Sequence, residues 1–163
     1  MESTGSVRAG AAPGSPRQLA SPEATRALGA ELANLLGAGS PATLLLLGDL
    51  GAGKTSLVQG LAEAMGIDEP ITSPSFALAQ HYGGSRGALV HLDLYRLEQP
   101  AAADELLAQE EETARELAAV LAVEWPERLS RLPAGCWRVE LSLLDPADPE
   151  RGRLALITPP APA

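Results

Sequence analysis

Apolar residues follow two spacings along this chain, and each spacing predicts a different kind of secondary structure. Short apolar runs at residues 43–47, 88–96 and 119–123 are typical of buried strands. In other segments apolar residues recur every three or four positions, which predicts one helix over 22–36, a second that ends at Gly66, and a third over 103–118. Because strands and helices alternate, the pattern predicts an α/β fold.

The first two predicted helices carry end signals as well as an apolar side. Ser21 and Pro22 suit the N-cap and first position of the first helix, and Gly66 suits the end of the second. The apolar positions of the first helix are Ala24, Leu28, Leu32, Leu35 and Leu36, and those of the second are Leu57, Val58, Leu61, Ala62 and Met65. We expect both sets to face the hydrophobic core.

Further strands are predicted on either side of this framework. Alternating residues predict a strand at 76–82, and the glycine-rich segment 83–87 predicts a turn after it. Residues 137–144 and 153–157 predict two more strands. We expect these two to form an antiparallel hairpin at the edge of the sheet.

Composition indicates where the folded domain begins and ends along the chain and in which cellular compartment we expect the protein. Residues 1–16 are rich in Gly, Ser, Ala and Pro and predict a disordered tail, followed by one domain at 17–158 and a frayed C-terminus at 159–163. The chain has no apolar run long enough to cross a membrane and no secretory signal. The single cysteine, Cys136, excludes an internal disulfide framework. Together these features predict a cytoplasmic protein without membrane contact.

The charge of the chain argues against direct binding of nucleic acid. The 163 residues carry a formal net charge of −9 at pH 7. An acidic surface repels a phosphate backbone, whose binding normally needs clustered Lys or Arg. If RNA enters the function, we expect a partner protein to hold it.

A phosphate-binding motif lies between the first apolar run and the second helix. The segment reads Gly-Asp-Leu-Gly-Ala-Gly-Lys-Thr and has a strand before it and a helix after it. This context predicts a P-loop NTPase-like three-layer sandwich with a mainly parallel sheet and an antiparallel edge hairpin. Backbone amides of the loop and helix N-terminus would face a polyphosphate. The predicted nucleotide contacts are Asp49, Leu50, Gly51, Ala52, Gly53, Lys54, Thr55 and Ser56.

Two side chains of the motif have specific expected roles. Lys54 would reach the β- and γ-phosphates, and the Thr55 hydroxyl would help to hold Mg²⁺. Lys54 is also the only lysine in the chain, since every other cationic side chain is arginine. A chain that otherwise uses arginine keeps its one compact ammonium where the loop needs it. This supports nucleotide binding.

Two carboxylates follow two of the predicted strands. Asp93 lies near the end of one apolar run, and Glu124 directly follows another. Ligands of open α/β sheets collect at the carboxyl ends of parallel strands, so both side chains are candidates to face the magnesium beside Thr55. The sequence does not decide which of them binds the metal and which orients water.

Missing motifs narrow the class of enzyme. A regulatory GTPase needs Asn-Lys-x-Asp and Asp-x-x-Gly, and neither occurs in this chain. A small-molecule kinase remains an alternative, as does a nucleotide-gated interaction protein. The hydroxyl residues Ser73 and Ser75 flank Pro74 where nucleotide switches occur, although an ordinary turn explains them equally well.

Several motifs together resemble the TsaE (YjeE) family of ATPases, in order and in spacing, over residues 19–157. They are the phosphate loop, Ser-Pro-Ser-Phe at 73–76, His-Leu-Asp-Leu-Tyr-Arg-Leu at 91–97 and Val-Glu-Trp-Pro-Glu-Arg at 123–128. The resemblance implies an accessory ATPase for threonylcarbamoyl modification of adenosine in tRNA. It further implies ATP and Mg²⁺ as cofactors, TsaD and TsaB as partners, and tRNA contact only through their complex.

The resemblance also implies roles for individual residues. Lys54, Asp93 and Glu124 would be catalytic, with Thr55 and Glu124 as Mg²⁺ ligands and Asp93 positioning water. Ser73 and Ser75 would belong to a switch, and the family usually has threonine in place of Ser75. Trp125 and Arg153 would lie close to the nucleotide, and the segment at Ser21 and Pro22 would approach the adenine.

Overall fold

One sheet organises the structure, which is a computed structural model and describes residues 15–37, 41–49, 51–72 and 78–161. Within these ranges the sheet has seven strands in the order β1-β7-β6-β2-β5-β4-β3. The strands are β1 (Pro16–Leu19), β2 (Ala42–Leu47), β3 (Ala79–Gly84), β4 (Gly87–Asp93), β5 (Val120–Glu124), β6 (Trp137–Leu143) and β7 (Arg153–Thr158). The strand that leads into the phosphate loop therefore lies at the centre.

The centre of the sheet is parallel and both of its edges are antiparallel. β2 pairs in parallel with β5 and β6, and β5 pairs in parallel with β4. β3 is antiparallel to β4 at one edge, and β7 is antiparallel to β6 and β1 at the other. The predicted α/β fold with its edge hairpin is confirmed, and the sheet is mixed, with three parallel and three antiparallel pairings among the described strands. The second antiparallel edge arises because only Ser85 and Arg86 separate β3 from β4, too short a connection for parallel strands.

Among the described residues, three α-helices cover the sheet: α1 (Pro22–Leu36), α2 (Lys54–Ala64) and α3 (Pro100–Leu117). The side chains of α1 and α2 share one core cluster with Leu44 and Leu46 of β2, and those of α3 share another with Leu45. Because neighbouring residues of a strand face opposite ways, α3 lies on the other face of the sheet. The predicted three-layer sandwich is confirmed. In the described part of the chain, none of the helices is long and apolar enough to span a membrane.

Three local features differ from the sequence-based expectations. Leu35 is 49% exposed, although its spacing placed it on the apolar side of α1. The glycines at both ends of the predicted 83–87 turn belong to β3 and β4, so the turn is shorter than expected. The first strand, Pro16–Leu19, was not expected. Its four residues are too few to show a clear alternation, and it pairs only with the distant β7.

A close approach of two helices explains why Leu35 is displaced from the core. α1 instead buries the small residues Gly29 and Ala33, and α2 buries Gly60. A Cβ added at Gly29 would lie 2.1 Å from the Leu57 carbonyl oxygen, so the two backbones nearly touch. The buried stripe of α1 therefore centres on its small residues.

We predict that Gly60→Ala destabilises the protein despite the better helix propensity of alanine. The new Cβ would lie 1.9 Å from the carbonyl oxygen of Arg26, which is backbone and cannot turn away as a side chain would. We expect a loss of about 1–3 kcal/mol in the free energy of unfolding, the range for overpacked sites. Urea unfolding measures it, with the exposed Asn34→Ala as the control, expected to change stability by no more than about 0.5 kcal/mol. Equal stability of the two variants would contradict the close approach.

Candidate functional site

The phosphate loop leaves the carboxyl end of β2 through a tight backbone path. Gly48 has φ +147°, and a Cβ there would lie 2.5 Å from the carbonyl oxygen of Leu141 on β6. Gly53, with φ +107°, is the N-cap of α2. Since glycine offers no side-chain acceptor to the first turn, an anion can take that place. The two glycines thus allow the tight path from β2 into α2 and leave the first turn of α2 open to an anion, with Leu50 outside the described residues.

The sole lysine of the chain is held inside this site. The side chain of Lys54 is buried, and its Nζ donates to the Gly48 carbonyl oxygen at 2.5 Å. The same Nζ lies 3.9 Å from the centroid of the Trp125 ring, within range of a cation–π interaction. Burial lowers the pKa of Lys54, while the carboxylates of Glu124, Glu127, Asp93 and Asp49 act to raise it. The ammonium therefore sits between a carbonyl, an indole ring and a set of acids.

The strand register places the two predicted carboxylates side by side. Glu124 of β5 is level with Leu46 of β2 on one side and with Asp93 of β4 on the other. The backbone N–H of Leu94 donates to the Glu124 carbonyl oxygen at 3.0 Å, which ties the two strand ends together. Glu124 thus lies on the strand next to the phosphate loop, and Asp93 lies one strand further away.

The two carboxylates have different surroundings. Glu124 is buried, whereas Asp93 is less enclosed and accepts a hydrogen bond from the backbone N–H of Tyr95 at 2.9 Å. Burial raises the pKa of Asp93, and the Glu124 charge adds to this effect. The Tyr95 N–H and the Lys54 ammonium oppose the rise without cancelling it. Carboxyl groups with perturbed pKa values are concentrated at functional sites.

Trp125 adopts a backbone conformation that is rare outside glycine. Its φ is 60° and its ψ is 48°, in the left-handed region, directly after the last residue of β5. The ring lies 4.8 Å from that of Tyr95, centroid to centroid, in addition to its contact with Lys54. Strained backbone of this kind is concentrated at functional sites. The strain turns the indole ring back toward the phosphate loop.

A further buried residue joins the site, one to which the sequence analysis assigned no role. His91 of β4 is fully buried, and its Nε2 lies 2.7 Å from Oε2 of Glu124. The sequence feature that could have identified His91 is its position as a polar residue in an otherwise apolar run, Leu-Val-His-Leu at 89–92. Such a residue needs a partner in the core, but sequence alone does not show which one.

Arg153, the first residue of β7, connects this strand to the phosphate loop. Its guanidinium donates to the Gly51 carbonyl oxygen at 3.0 Å, and also to the carbonyl oxygens of Pro149 and Gly152. Beside it is a cavity of about 330 Å³. The cavity is lined by Ala20, Ser21, Pro22, Thr25, Gly53, Ser56, Pro149, Glu150, Gly152 and Arg153. Arg153 and the start of α1 thus line the same cavity, next to the phosphate loop.

The residues present suit a magnesium ion that arrives with a nucleotide. In the described ranges no three His, Cys, Asp or Glu side chains group closely enough to hold a metal by themselves. Mg²⁺ commonly takes only one or two protein ligands and completes its shell with phosphate oxygens and water. Thr55 lies in the first turn of α2, and Glu124 is the last residue of the neighbouring β5. These two side chains fit a Mg²⁺ site with only one or two protein ligands. Ser73 and Ser75, the predicted switch residues, lie outside the described residues.

Known proteins resemble this chain over most of its length. Residues 19–151 match the model of the family described as threonylcarbamoyl adenosine biosynthesis protein TsaE. A tRNA threonylcarbamoyladenosine biosynthesis protein TsaE of Nostoc sp. is 44% identical over 141 residues, 86% of this chain and 83% of the relative. The protein of the same name from Synechocystis sp. is 46% identical over 113 residues, 68% of this chain and 69% of the relative.

A solved structure supports the same assignment. The crystal structure of Bacillus subtilis YdiB is similar with a TM-score of 0.67 and 27% sequence identity, and the match covers 90% of this chain and 86% of that one. The predicted resemblance is therefore confirmed by sequence and by fold, and the chain belongs to the TsaE family.

Proposed function

We propose that this chain is the ATPase component of a system that makes threonylcarbamoyladenosine in tRNA. It would bind and hydrolyse Mg²⁺·ATP at the phosphate loop and work with TsaD and TsaB. The observation that carries the proposal is the placement of Lys54, buried in the loop within contact of Gly48 and Trp125 and electrostatically coupled to Glu124. The printed names of the relatives supply the process.

The chain's own residues divide the chemistry between them. The Lys54 ammonium would exchange the Gly48 carbonyl for phosphate oxygens, and Thr55 and Glu124 would hold the metal. When bound, Mg²⁺ neutralises charge on the phosphate oxygens. Asp93, one strand further from the loop than Glu124, would orient the attacking water and receive its proton, for which its raised pKa is suited.

The cavity beside Arg153 would take the other end of the nucleotide. It lies between the first turns of α1 and α2, and its lining is mostly apolar with a few polar groups. Such a lining suits a planar base, with Ser21 and Ser56 available as hydrogen-bonding groups. Arg153 would contact the nucleotide at the junction of cavity and loop.

The net charge of −9 favours protein partners over direct contact with tRNA. The chain would therefore reach tRNA only through the complex with TsaD and TsaB. Within the described residues, the Arg153 guanidinium already serves three backbone carbonyls, so a partner is the better source of an arginine against the γ-phosphate.

Lys54→Ala should weaken ATP binding about 10- to 100-fold, because hydrogen bonds to charged groups contribute about 1.5–3 kcal/mol. Isothermal titration calorimetry with ATP in excess Mg²⁺ measures the affinity. Arg115→Ala is the matched control, since it removes the same charge from an exposed position in the last turn of α3. Wild-type affinity in the Lys54 variant would contradict nucleotide binding at this loop.

Glu124→Gln and Asp93→Asn should fail in different ways. We expect Glu124→Gln to raise the Mg²⁺ concentration for half-maximal activity by about 10-fold or more, in line with the loss of a metal-site group. Asp93→Asn should keep nucleotide affinity and lower kcat by about 100-fold, since a group that positions water acts in the transition state. Steady-state ATPase assays over a Mg²⁺ series separate the two. The exposed Glu112→Gln is the control, and identical behaviour of both variants would show that the roles are misassigned.

Hydrolysis by the chain alone should be slow and should rise when TsaD and TsaB are added. An arginine supplied by a partner can raise the rate by about 10³-fold or more. Phosphate release and threonylcarbamoyladenosine formation, measured with and without each partner, test this directly, with Lys54→Ala as the inactive reference. A phosphorylated metabolite made by the chain alone would instead favour a small-molecule kinase.

A further inference from the structure

The histidine of β4 contacts the Glu124 carboxylate from inside the core. His91 Nε2 lies 2.7 Å from Glu124 Oε2, and neither side chain is more than 4% exposed. Along β4, His91 and Asp93 are two residues apart and therefore point to the same face of the sheet. His91 lies two residues before the end of β4, level with Ala122 rather than with Glu124. It therefore reaches Glu124 from inside the core, on the face of the sheet that α1 and α2 cover.

The position of His91 is otherwise apolar. It is level with Ala122 on β5, and the strand positions that face the same helices include Leu89 and Val120. A leucine at this place would bury apolar surface without any unpaired polar atom. Packing alone therefore gives no reason for an imidazole here.

The second ring nitrogen of His91 makes the histidine unfavourable for stability, because it is a buried polar atom without a partner in the described part of the chain. Within the described residues, Nδ1 of His91 is buried and has no hydrogen-bond partner. A ring that carries its proton on Nε2 donates to Glu124 and leaves only the Nδ1 lone pair unpaired. The contact with Glu124 is the one polar contact of this side chain that the structure records, so the benefit of keeping a histidine lies in that carboxylate.

From this arrangement we infer that His91 is a positioning residue for Glu124. By holding Oε2, the imidazole fixes the rotation of the carboxylate and leaves Oε1 as the oxygen available to a cation. The N–H of Leu94, directly after β4, fixes the backbone of the same glutamate, so β4 and the residue after it restrain both the side chain and the backbone of Glu124. Groups that hydrogen-bond a metal-binding carboxylate from behind typically change metal affinity about 10- to 100-fold when they are removed. The inference rests on the proposed function only in taking Glu124 as a Mg²⁺ ligand.

The chain provides a matched control for this pair. His81 of β3 contacts Glu110 of α3 through its Nε2, also at 2.7 Å, but its side chain is 46% exposed. This second His–Glu pair joins the edge strand to the helix on the far face of the sheet. Because the chain has only two histidines, each can be changed while the other serves as reference.

The test uses the full chain and the nonhydrolysable analogue AMP-PNP, so that it does not depend on turnover. Calorimetry gives AMP-PNP affinity over a series of Mg²⁺ concentrations for His91→Asn and His91→Gln. The Gln amide extends far enough to replace Nε2, whereas the shorter Asn amide does not. We expect His91→Asn to raise the half-saturating Mg²⁺ concentration about 10-fold and His91→Gln to raise it less than about threefold. The same changes at His81 should have no effect, and AMP-PNP affinity without Mg²⁺ should stay constant throughout.

A Glu124→Gln background separates this inference from the proposed function. If His91 acts through Glu124, His91→Asn should cause no further change in that background. If Glu124→Gln shifts the Mg²⁺ dependence but His91→Asn does not, or if Asn and Gln act alike, the positioning role is wrong and the proposed function stands. If Glu124→Gln itself leaves the Mg²⁺ dependence unchanged, the positioning role of His91 and the assignment of Glu124 as a Mg²⁺ ligand are both wrong, whereas nucleotide binding at the loop is tested separately by Lys54→Ala.

A measurement on the unmodified protein covers the case in which a His91 variant does not fold. Long-range ¹H–¹⁵N spectra of the imidazole rings report which nitrogen carries the proton. We expect the Nε2–H form for His91, and a shift of its signals on addition of Mg²⁺ and AMP-PNP with those of His81 unchanged. Absence of that shift, or a His91 proton on Nδ1 alone, would overturn the inference.

Discussion

The site depends on the parallel pairing of β2 with its neighbour β5. This pairing sets Leu46 level with Glu124 and so brings a carboxylate to the strand that delivers the phosphate loop. A slip of β5 by one residue would turn Glu124 to the α3 face and would move Leu121 and Val123 out of the α3 core to the face covered by α1 and α2. The two apolar cores therefore fix the register, and the register in turn fixes the chemistry.

Sequence patterns were sufficient for the framework because burial imposes them strongly. The central strands are buried on both faces and appear as continuous apolar runs, and α1 begins at the expected cap, where Ser21 Oγ accepts from the Ala24 N–H. The errors arose where tertiary contacts decide the outcome. Leu35 is exposed because α2 approaches the glycine side of α1, and β1 forms only because β7 is present to pair with it.

The site was predictable in its residue types but not in its connections. The loop motif identified Lys54, and strand ends identified Asp93 and Glu124, since these depend on local order along the chain. The bond from Arg153 to Gly51 joins residues 102 positions apart, and the left-handed backbone of Trp125 depends on the turn that follows β5. Neither leaves a periodic signal. His91 was missed for the same reason, because its partner lies 33 positions further along the chain.

The near contact of α1 and α2 at Gly29 and Gly60 sets the distance between the starts of the two helices. A ligand that binds across both helices must match this distance. The start of α1 lines the cavity through Ser21 and Thr25, and the start of α2 forms the end of the phosphate loop. Since the spacing between the helices is set by backbone against backbone, it does not vary with side-chain conformers. The distance from cavity to loop is therefore fixed by the main chain, and a ligand is selected by its length as well as by its chemical groups.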